Sequence, residues 1–192
     1  SGGAYDDEDF LWMKNYLQLD GMTYKLVPIK TEIPKDASPL EMGGIDTDKM
    51  YANVMKWDWG NSESLSIYHD PETRKNSITY RSYLSRLMNQ LILEGKKEKA
   101  KNIITLAMNK MPLEQFGYYS LLEPFAKGYY DLGENAKAQD LLSKLILKYK
   151  ENLKYYSSLT PSDQTSLAID IITDIERYRS LLLVMKESGD VT

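Results

Sequence analysis

One phrase of the sequence occurs twice, and this repetition limits the folds that are open to the chain. Residues 94–112 read EGKKEKAKNIITLAMNKMP and residues 132–150 read LGENAKAQDLLSKLILKYK, with Gly133 following Gly95 by 38 residues. In each copy an alanine stands five positions after the glycine, and apolar residues follow four and seven positions after that alanine. Apolar residues at this spacing share one helix face, and a glycine after an apolar segment is a common helix end. The sequence therefore predicts two helix–turn–helix units in series.

Both copies extend into complete helical pairs. Apolar residues before each glycine form the core face of a first helix, and those after it form the core face of a second. The small side chains of Ala100 and Ala138 allow two helix axes to approach closely where they cross. The core faces are Tyr80, Leu84, Leu87, Met88, Leu91, Ala100, Ile103, Ile104, Ala107, Met108 and Met111 in the first pair, and Leu122, Phe125, Ala126, Tyr129, Ala138, Leu141, Leu142, Leu145, Ile146 and Tyr149 in the second.

The paired units resemble the tetratricopeptide repeat, which has large apolar residues in its first helix, a turn glycine, small residues at the helix crossing and a terminal proline. The interval of 38 residues is longer than the family's repeat of about 34. Lys150 also stands where the first copy has Pro112, so the last helix of the second copy is expected to continue towards Leu159. An arbitrary helical bundle is the alternative. The matching structural repeat positions are Leu84, Leu87, Gly95, Ala100, Ala107, Pro112, Tyr129, Gly133 and Ala138.

A well-marked helix is predicted after the second copy. Thr160, Pro161 and Asp163 supply an N-cap, a proline at the first helical position and an acidic residue in the first turn. Gly189 is expected to end this helix, which would cap one end of the repeats. Its predicted core stripe is Leu167, Ile171, Ile172, Ile175, Tyr178, Leu182 and Met185.

The first third of the chain has a more irregular texture. We expect an N-terminal region, residues 1–76, that is packed on a repeat domain of residues 77–192. The fold class is mainly all-α: a tetratricopeptide-like α-α superhelix whose irregular N-terminal region has room for a short strand or hairpin. In detail, the patterns predict a short helix within 5–20, an extended segment within 22–28, a loop at 31–44, a helix capped by Asp46 or Thr47 and running to about Lys56, and an irregular connection with a turn at Asp70-Pro71 over 57–77.

Charge and composition exclude several classes of partner. The net charge is −4 and the charges are mixed along the chain, so binding to nucleic acid is not expected. The chain has no cysteine, which excludes disulfides and thiolate ligands. No apolar run approaches the roughly 18–20 residues that a membrane helix needs, so direct membrane insertion is not expected. The opening SGGAYDDEDF is expected to be either an artificial boundary or a cut from a longer chain.

Residues suited to catalysis are sparse. His69 is the only histidine and stands beside Asp70; it could act as a general base, but a solvated loop histidine is the favoured interpretation. With one histidine and no cysteine we predict no metal site and no cofactor. The acidic run at 5–9 is expected to be a solvated end, and the segment GGIDTDK lacks the spacing of a calcium or phosphate loop. No catalytic residue is therefore predicted.

Partner binding is the better prospect. The chain has 15 tyrosines and 3 tryptophans, and tyrosine suits protein interfaces and stacking on sugars, although core packing accounts for most of them. If the tetratricopeptide geometry holds, the first helix of each pair lines a concave face. That face lacks the basic cluster that similar domains use to clamp a peptide carboxylate. The predicted partner-binding residues are Ser82, Ser85, Asn89, Glu123, Lys127 and Tyr130.

Four strings carry a wider resemblance: NYLQLDGMTYKLVPIKT at 15–31, DTDKMYANVMKWDWGN at 46–61, LILEGKKEKA at 91–100 and FAKGYYDLGENAKA at 125–138. Together they resemble the soluble C-terminal region of a bacterial family of large multi-spanning membrane proteins of unknown function. The membrane part of that family is similar to protein O-mannosyltransferases. The resemblance covers roughly residues 15–159, and it carries no catalytic residue over because the glycosyltransferase-like part is the membrane region.

The resemblance implies a domain tethered to the membrane through a missing N-terminal region, on the periplasmic or extracytoplasmic side of a bacterial inner membrane. We expect a non-catalytic interaction or scaffold module that binds a protein or glycan partner for a glycosyltransferase-like membrane protein. Two alternatives stay open: a carboxylate-based carbohydrate-active enzyme domain, and a purely structural or dimerisation cap.

Overall fold

The structure, a computed structural model, describes residues 13–32 and 42–190. The chain divides into two compact units, Ser1–Gly117 and Tyr118–Thr192. The first unit contains the strands β1 (Leu17–Asp20), β2 (Thr23–Leu26) and β3 (Gly44–Ile45) and the helices α1 (Thr47–Val54), α2 (Pro71–Leu93), α3 (Lys97–Lys110) and α4 (Leu113–Phe116); the second contains α5 (Glu123–Asp131), α6 (Asn135–Ser157), α7 (Pro161–Ser166) and α8 (Ala168–Glu187).

A small sheet of order β2-β1-β3 occupies the N-terminal part, with β1 antiparallel to β2 and parallel to β3. The helix predicted within residues 5–20 is wrong at its C-terminal end, where Lys14–Tyr16 form one 3₁₀ turn and β1 follows. The reason is the two-residue period of LQLD, which buries Leu17 and Leu19 on one face. Residues 5–12 lie outside the described residues.

The hairpin between β1 and β2 depends on Gly21. Its φ is +68° at the first position of a two-residue loop, which is the pattern of a type II′ hairpin turn. A Cβ atom here would lie 3.1 Å from the Trp57 ring. The extended segment and the short hairpin expected from the sequence are therefore confirmed.

The sheet contacts the α2 side chains of Arg86 and Tyr83. The Arg86 guanidinium donates to the Tyr24 hydroxyl at 3.1 Å and to the Gly43 carbonyl at 2.8 Å. The Tyr24 ring meets Tyr83 edge-on at 5.9 Å. Burial raises the pKa of Tyr24 to about 12, so its hydroxyl stays protonated beside the arginine at neutral pH.

Helix α2 begins earlier than expected. The predicted irregular connection over 57–77 ends at Asp70, whose carboxylate accepts from the backbone N–H groups of Glu72 and Thr73 at 2.9 and 3.0 Å. Asp-Pro is here an N-cap followed by a proline at the first helical position rather than an isolated turn. The helix therefore runs through residue 76, the predicted end of the N-terminal region.

Helices α2 and α3 form the first helical hairpin, and Gly95 closes the turn between them. Gly95 N donates to Ile92 O at 2.9 Å and Lys96 N donates to Leu91 O at 2.8 Å. With a φ of +74° at the glycine, these are the two bonds of a Schellman motif. The predicted core positions Leu84, Leu87, Ala100 and Ala107 are fully buried.

Helices α5 and α6 form the second hairpin with the same turn. Gly133 N donates to Tyr130 O at 2.9 Å and Glu134 N donates to Tyr129 O at 2.8 Å, with a φ of +77° at the glycine. Each of these atoms lies 38 residues after its counterpart in the first turn. Ala138, at the helix crossing, is fully buried like its counterpart. Each backbone hydrogen bond of the first turn therefore has an equivalent 38 residues later in the second turn.

A proline stands at a helix boundary in each hairpin. Pro112 follows the end of α3 and precedes the single turn of α4. Pro124 stands in the first turn of α5, which begins at Glu123 after a 3₁₀ turn, Tyr119–Leu122. The missing backbone N–H of Pro124 therefore interrupts no helix. Helix α6 has no terminal proline and continues to Ser157, as predicted.

The C-terminal helix differs from its prediction in two ways. Thr160 caps it as expected, but it divides at Leu167 into α7 and α8. The predicted stripe is also wrong in part: Leu167, Ile171, Tyr178 and Met185 are half-buried, but Ile172, Ile175 and Leu182 are exposed, and the buried residues of α8 are Asp174 and Leu181. Buried Asp174 has partners on α6: Asn152 Nδ2 donates to its Oδ2 at 2.7 Å and the Tyr156 hydroxyl at 3.2 Å. These bonds offset the desolvation of the carboxylate, so a polar residue occupies a buried position of α8 that hydrophobic periodicity did not predict.

The mainly helical fold class is confirmed, with its one small sheet in the N-terminal region. The two helix–turn–helix units are present, one in each compact unit. The superhelical stacking of one on the other stays a prediction.

Candidate partner-binding site

Helix α2 carries the first three predicted partner-binding residues. Ser85 is buried, and its hydroxyl donates to the carbonyl of Ser82 one turn earlier at 2.9 Å. Ser82 is half-buried, and Asn89 is exposed. Asn89 is therefore the member of this group with the most accessible side chain.

Helix α5 carries the other three, and two of them contact the C-terminal segment of their own unit. The Ser180 hydroxyl donates to the Glu123 carboxylate. The Tyr130 hydroxyl donates to Asp190 Oδ2 at 2.6 Å. Burial, with the Asp190 carboxylate, raises the pKa of Tyr130 to about 12. The Tyr130 hydroxyl therefore acts as a hydrogen-bond donor at neutral pH.

Lys127 and Tyr130 line a polar cleft between α5 and the end of α8, which we call the α5–α8 cleft. Its volume is about 180 Å³. Lys127 forms an ion pair with Asp131 at 2.9 Å, one helical turn away. An ammonium, carboxylates and an amide together suit a polar peptide segment or the hydroxyl groups of a sugar. The lining residues are Lys127, Tyr130, Asp131, Asn135, Val184, Glu187 and Ser188.

The structure thus brings together Glu123, Lys127 and Tyr130 in the second unit and, separately, the three α2 residues in the first. A single concave face made of all six stays a prediction, because the two groups belong to different compact units. The remaining repeat positions are in place: Tyr129 is half-buried with the Lys137 ammonium 5.9 Å from its ring centroid.

Sequence reasoning missed an aromatic pocket in the first unit. The rings of Trp57, Trp59 and Tyr80 lie with centroids 5.5 to 5.7 Å apart. The indole Nε1 of Trp59 is buried without a hydrogen-bond acceptor among the described residues. The signal was the density of aromatic residues in WDWGN, in a segment interpreted as a connection. The pocket, about 240 Å³, is lined by Asp58, Trp59, Gly60, Ser62, His69, Thr73, Asn76, Ser77, Tyr80, Met111 and Phe116.

His69 belongs to this pocket, and its expected place in a solvated loop is wrong. The side chain is only 8% exposed. Its Nε2 lies 2.8 Å from the carbonyl oxygen of Ser62, and its ring lies 4.5 Å from that of Phe116. The surrounding loop is held to α3 by the Ser62 hydroxyl, which donates to Lys110 O at 2.7 Å. The histidine is a packing residue of an ordered connection.

Within residues 13–32 and 42–190, no three histidine, cysteine, aspartate or glutamate side chains are grouped so as to hold a metal ion. Of the helices in the same ranges, none combines the length and apolar character needed to cross a membrane.

The fold and these surfaces define a mainly helical domain with two equivalent hairpins and a small N-terminal sheet. A family described as TMEM260-associated domain 2 matches residues 1–49. The match contains the β1–β2 hairpin and the whole of the string NYLQLDGMTYKLVPIKT at 15–31, and it indicates a likeness to a TMEM260-related family over this part of the chain. No curated protein and no solved structure matches the chain.

Proposed function

We propose that this chain is a non-catalytic interaction or scaffold module of a TMEM260-related membrane protein and that it binds a protein or glycan partner. The observation that carries the proposal is the pattern of burial in the repeated phrase, residues 94–112 and 132–150. Its apolar and small positions, such as Ala100 and Ala138, are buried in helix packing, while the helix that precedes its second copy exposes polar side chains such as Lys127. A scaffold that presents side chains from its first helices is what tetratricopeptide-like hairpins provide.

The proposed setting is the periplasmic or extracytoplasmic side of a bacterial inner membrane, as a domain of a glycosyltransferase-like protein. The four strings of the wider resemblance support it, and the family match over residues 1–49 overlaps the first of them. Under this proposal the membrane part of the parent protein carries out the transfer reaction, and the present domain holds a partner or acceptor close to it.

Lys127 and Tyr130 provide the test. Immobilised chain is incubated with a detergent extract of the source membrane and, separately, with a glycan array. We expect Lys127→Ala and Tyr130→Phe each to reduce capture of the bound species, because each removes a polar group from the α5–α8 cleft. The matched control is Lys154→Ala, which removes an exposed ammonium from α6 outside the cleft.

Two outcomes contradict the proposal. Capture that is equal for the wild type and both cleft variants removes the cleft from the binding site. Hydrolysis of a glycoside by the purified chain, abolished by substitution of a single carboxylate in a folded variant, shows that the domain is an enzyme.

A further inference from the structure

Helix α8 presents an apolar stripe on the side opposite to Asp174 and Leu181, the residues that it buries. Ile169, Ile172 and Leu183 are 81%, 61% and 47% exposed. Positions 169, 172, 176, 179 and 183 follow the three- and four-residue spacing of one helix face. A face with this many exposed branched apolar side chains is typical of a surface that another helix covers.

Two charged residues lie at the centre of this stripe. Glu176 and Arg179 are well exposed. The Glu176 carboxylate and the Arg179 guanidinium are 4.0 Å apart, which is the upper limit for an ion pair. Ile172 stands four residues before Glu176, and Leu183 stands four residues after Arg179. Between residues 172 and 183 the stripe therefore reads apolar, acidic, basic, apolar. A two-fold rotation about the midpoint between residues 177 and 178 places acidic against basic and apolar against apolar.

We propose that α8 pairs with the α8 of a second copy of this chain, antiparallel and about a two-fold axis at that midpoint. In this arrangement Glu176 of each copy faces Arg179 of the other, and Ile172 faces Leu183. An isologous interface needs a surface that complements itself under a two-fold rotation, and positions 172, 176, 179 and 183 of the stripe do so in both charge and apolarity. The inference goes beyond the proposed function, since it does not depend on what the α5–α8 cleft binds.

The geometry of a helix pair is compatible with these contacts. Ile172 and Leu183 are eleven residues apart, roughly 16 Å along the axis, so each apolar pair lies about 8 Å from the two-fold axis. The central charges are flanked by apolar contacts, which exclude water from the ion pairs and strengthen them. A contact made by one helix from each copy is at the small end of specific interfaces, so the dimer is reversible and depends on concentration.

Charge inversion tests the pairing in the full chain by sedimentation velocity. We expect the wild type to dimerise with increasing concentration, and Glu176→Arg and Arg179→Glu each to weaken dimerisation by at least about tenfold, because like charges then face each other across the axis. An equimolar mixture of these two variants should form a heterodimer, and the double variant Glu176→Arg/Arg179→Glu should regain self-association. Far-UV circular dichroism checks that every variant keeps the wild-type helix content.

The mixture is the decisive measurement, because only contact between these two positions across copies predicts that two weakened variants rescue each other. A wild type that stays monomeric at the highest concentration reached overturns the proposal, and so does a dimer that ignores both inversions. Rescue in the mixture together with loss in each variant alone establishes the two-fold pairing.

Discussion

Arg81 shows how one buried side chain can hold several segments. It is fully buried, and its guanidinium donates to the carbonyl of Met111 at 2.8 Å and to that of Gly117 at 2.5 Å. These carbonyls follow the ends of α3 and α4, so both segments are tied to α2. Burial lowers the pKa of Arg81 to about 10, which leaves the group charged at neutral pH.

Replacing Arg81 by methionine should lower the free energy of unfolding by about 3 kcal/mol, since hydrogen bonds from a charged donor are lost and buried carbonyls lose their partners. Arg81→Lys should recover only part of this, because an ammonium cannot present the planar fork of a guanidinium. Urea denaturation followed by circular dichroism measures both. Arg177→Met, at an exposed position, is the matched control, and an equal effect of both methionine variants would contradict the assigned role.

The turn glycines allow a paired comparison. Gly95→Ala and Gly133→Ala should each cost about 1–2 kcal/mol, because a left-handed conformation is unfavourable for a residue with a Cβ. Nothing lies within 4 Å of that Cβ at either site, so the cost is one of backbone conformation and should be similar for both. Asparagine, which tolerates this conformation better, should cost less. Unequal alanine costs in thermal denaturation would show that the two turns are not equivalent.

At the scale of elements, α1 is attached to the first hairpin by charge. Asp48 accepts from Lys96 at 2.9 Å and from Lys99 at 2.6 Å, and Thr47 donates to Glu94 at 2.5 Å. The second turn has Leu132 where the first has Glu94. The first copy of the repeat is therefore also a docking point for the preceding helix.

This attachment should depend on pH. The hydrogen bonds from Lys96 and Lys99 lower the pKa of Asp48 from 3.8 to about 2. A lowered carboxyl pKa adds stability that is complete above the unfolded value and is lost as the pH falls towards the folded one. We expect Asp48→Asn to reduce stability at pH 7 and to weaken its decline between pH 4 and pH 2, measured by urea denaturation at each pH. Asp140→Asn, within an ion pair of α6 alone, should leave that decline unchanged.

The helix crossing can be tested within one helix. Ala138→Leu should destabilise the second unit by about 1–3 kcal/mol, because added methylenes in a packed site force the helices apart. Ala136→Leu places the same side chain at an exposed position two residues earlier and should change stability little. Thermal denaturation compares the two, and equal stability of both variants would contradict the close approach at residue 138.

The elements differ in how far the sequence predicted them. The hairpins were predictable because their residues follow a helical period and their ends carry local signals, Gly95, Gly133 and Thr160. The orientation of α8 was not, because hydrophobic periodicity assigns a carboxylate to the surface, whereas Asp174 has partners 18 and 22 residues earlier. Strand β1 is four residues long, too short for its alternation to outweigh the helical pattern around it.

The candidate site was predictable only in part. The position of Lys127 and Tyr130 on α5 follows from the repeat pattern. The contact of Tyr130 with Asp190 does not, because it joins residues 60 positions apart. The aromatic pocket was missed for the same reason: the ring of Tyr80 reaches tryptophans in a segment with no regular secondary structure, for which periodicity gives no signal.

At the scale of the whole molecule, each compact unit has a buried apolar core of its own. That of the second unit includes Phe125, Leu142, Leu145 and Leu181. We expect residues 118–192, produced alone, to be helical by circular dichroism and to melt cooperatively, with modest stability because domains of this size bury a smaller fraction of their surface. Phe125→Ala should abolish the transition in that fragment, since losing a buried aromatic ring costs about 3–5 kcal/mol. A fragment without a cooperative transition would contradict an independent second unit.

The same two backbone hydrogen bonds close both turns, and this has a consequence for how such a chain can gain or lose residues during evolution. Gly95 and Gly133 sit in identical hydrogen-bonded frames, so a genetic crossover between the two junctions joins the first helix of one hairpin to the second helix of the other without altering the backbone at the splice. Each event of this kind adds or removes a block of 38 residues. Relatives of this domain that differ in length by whole blocks would record that history.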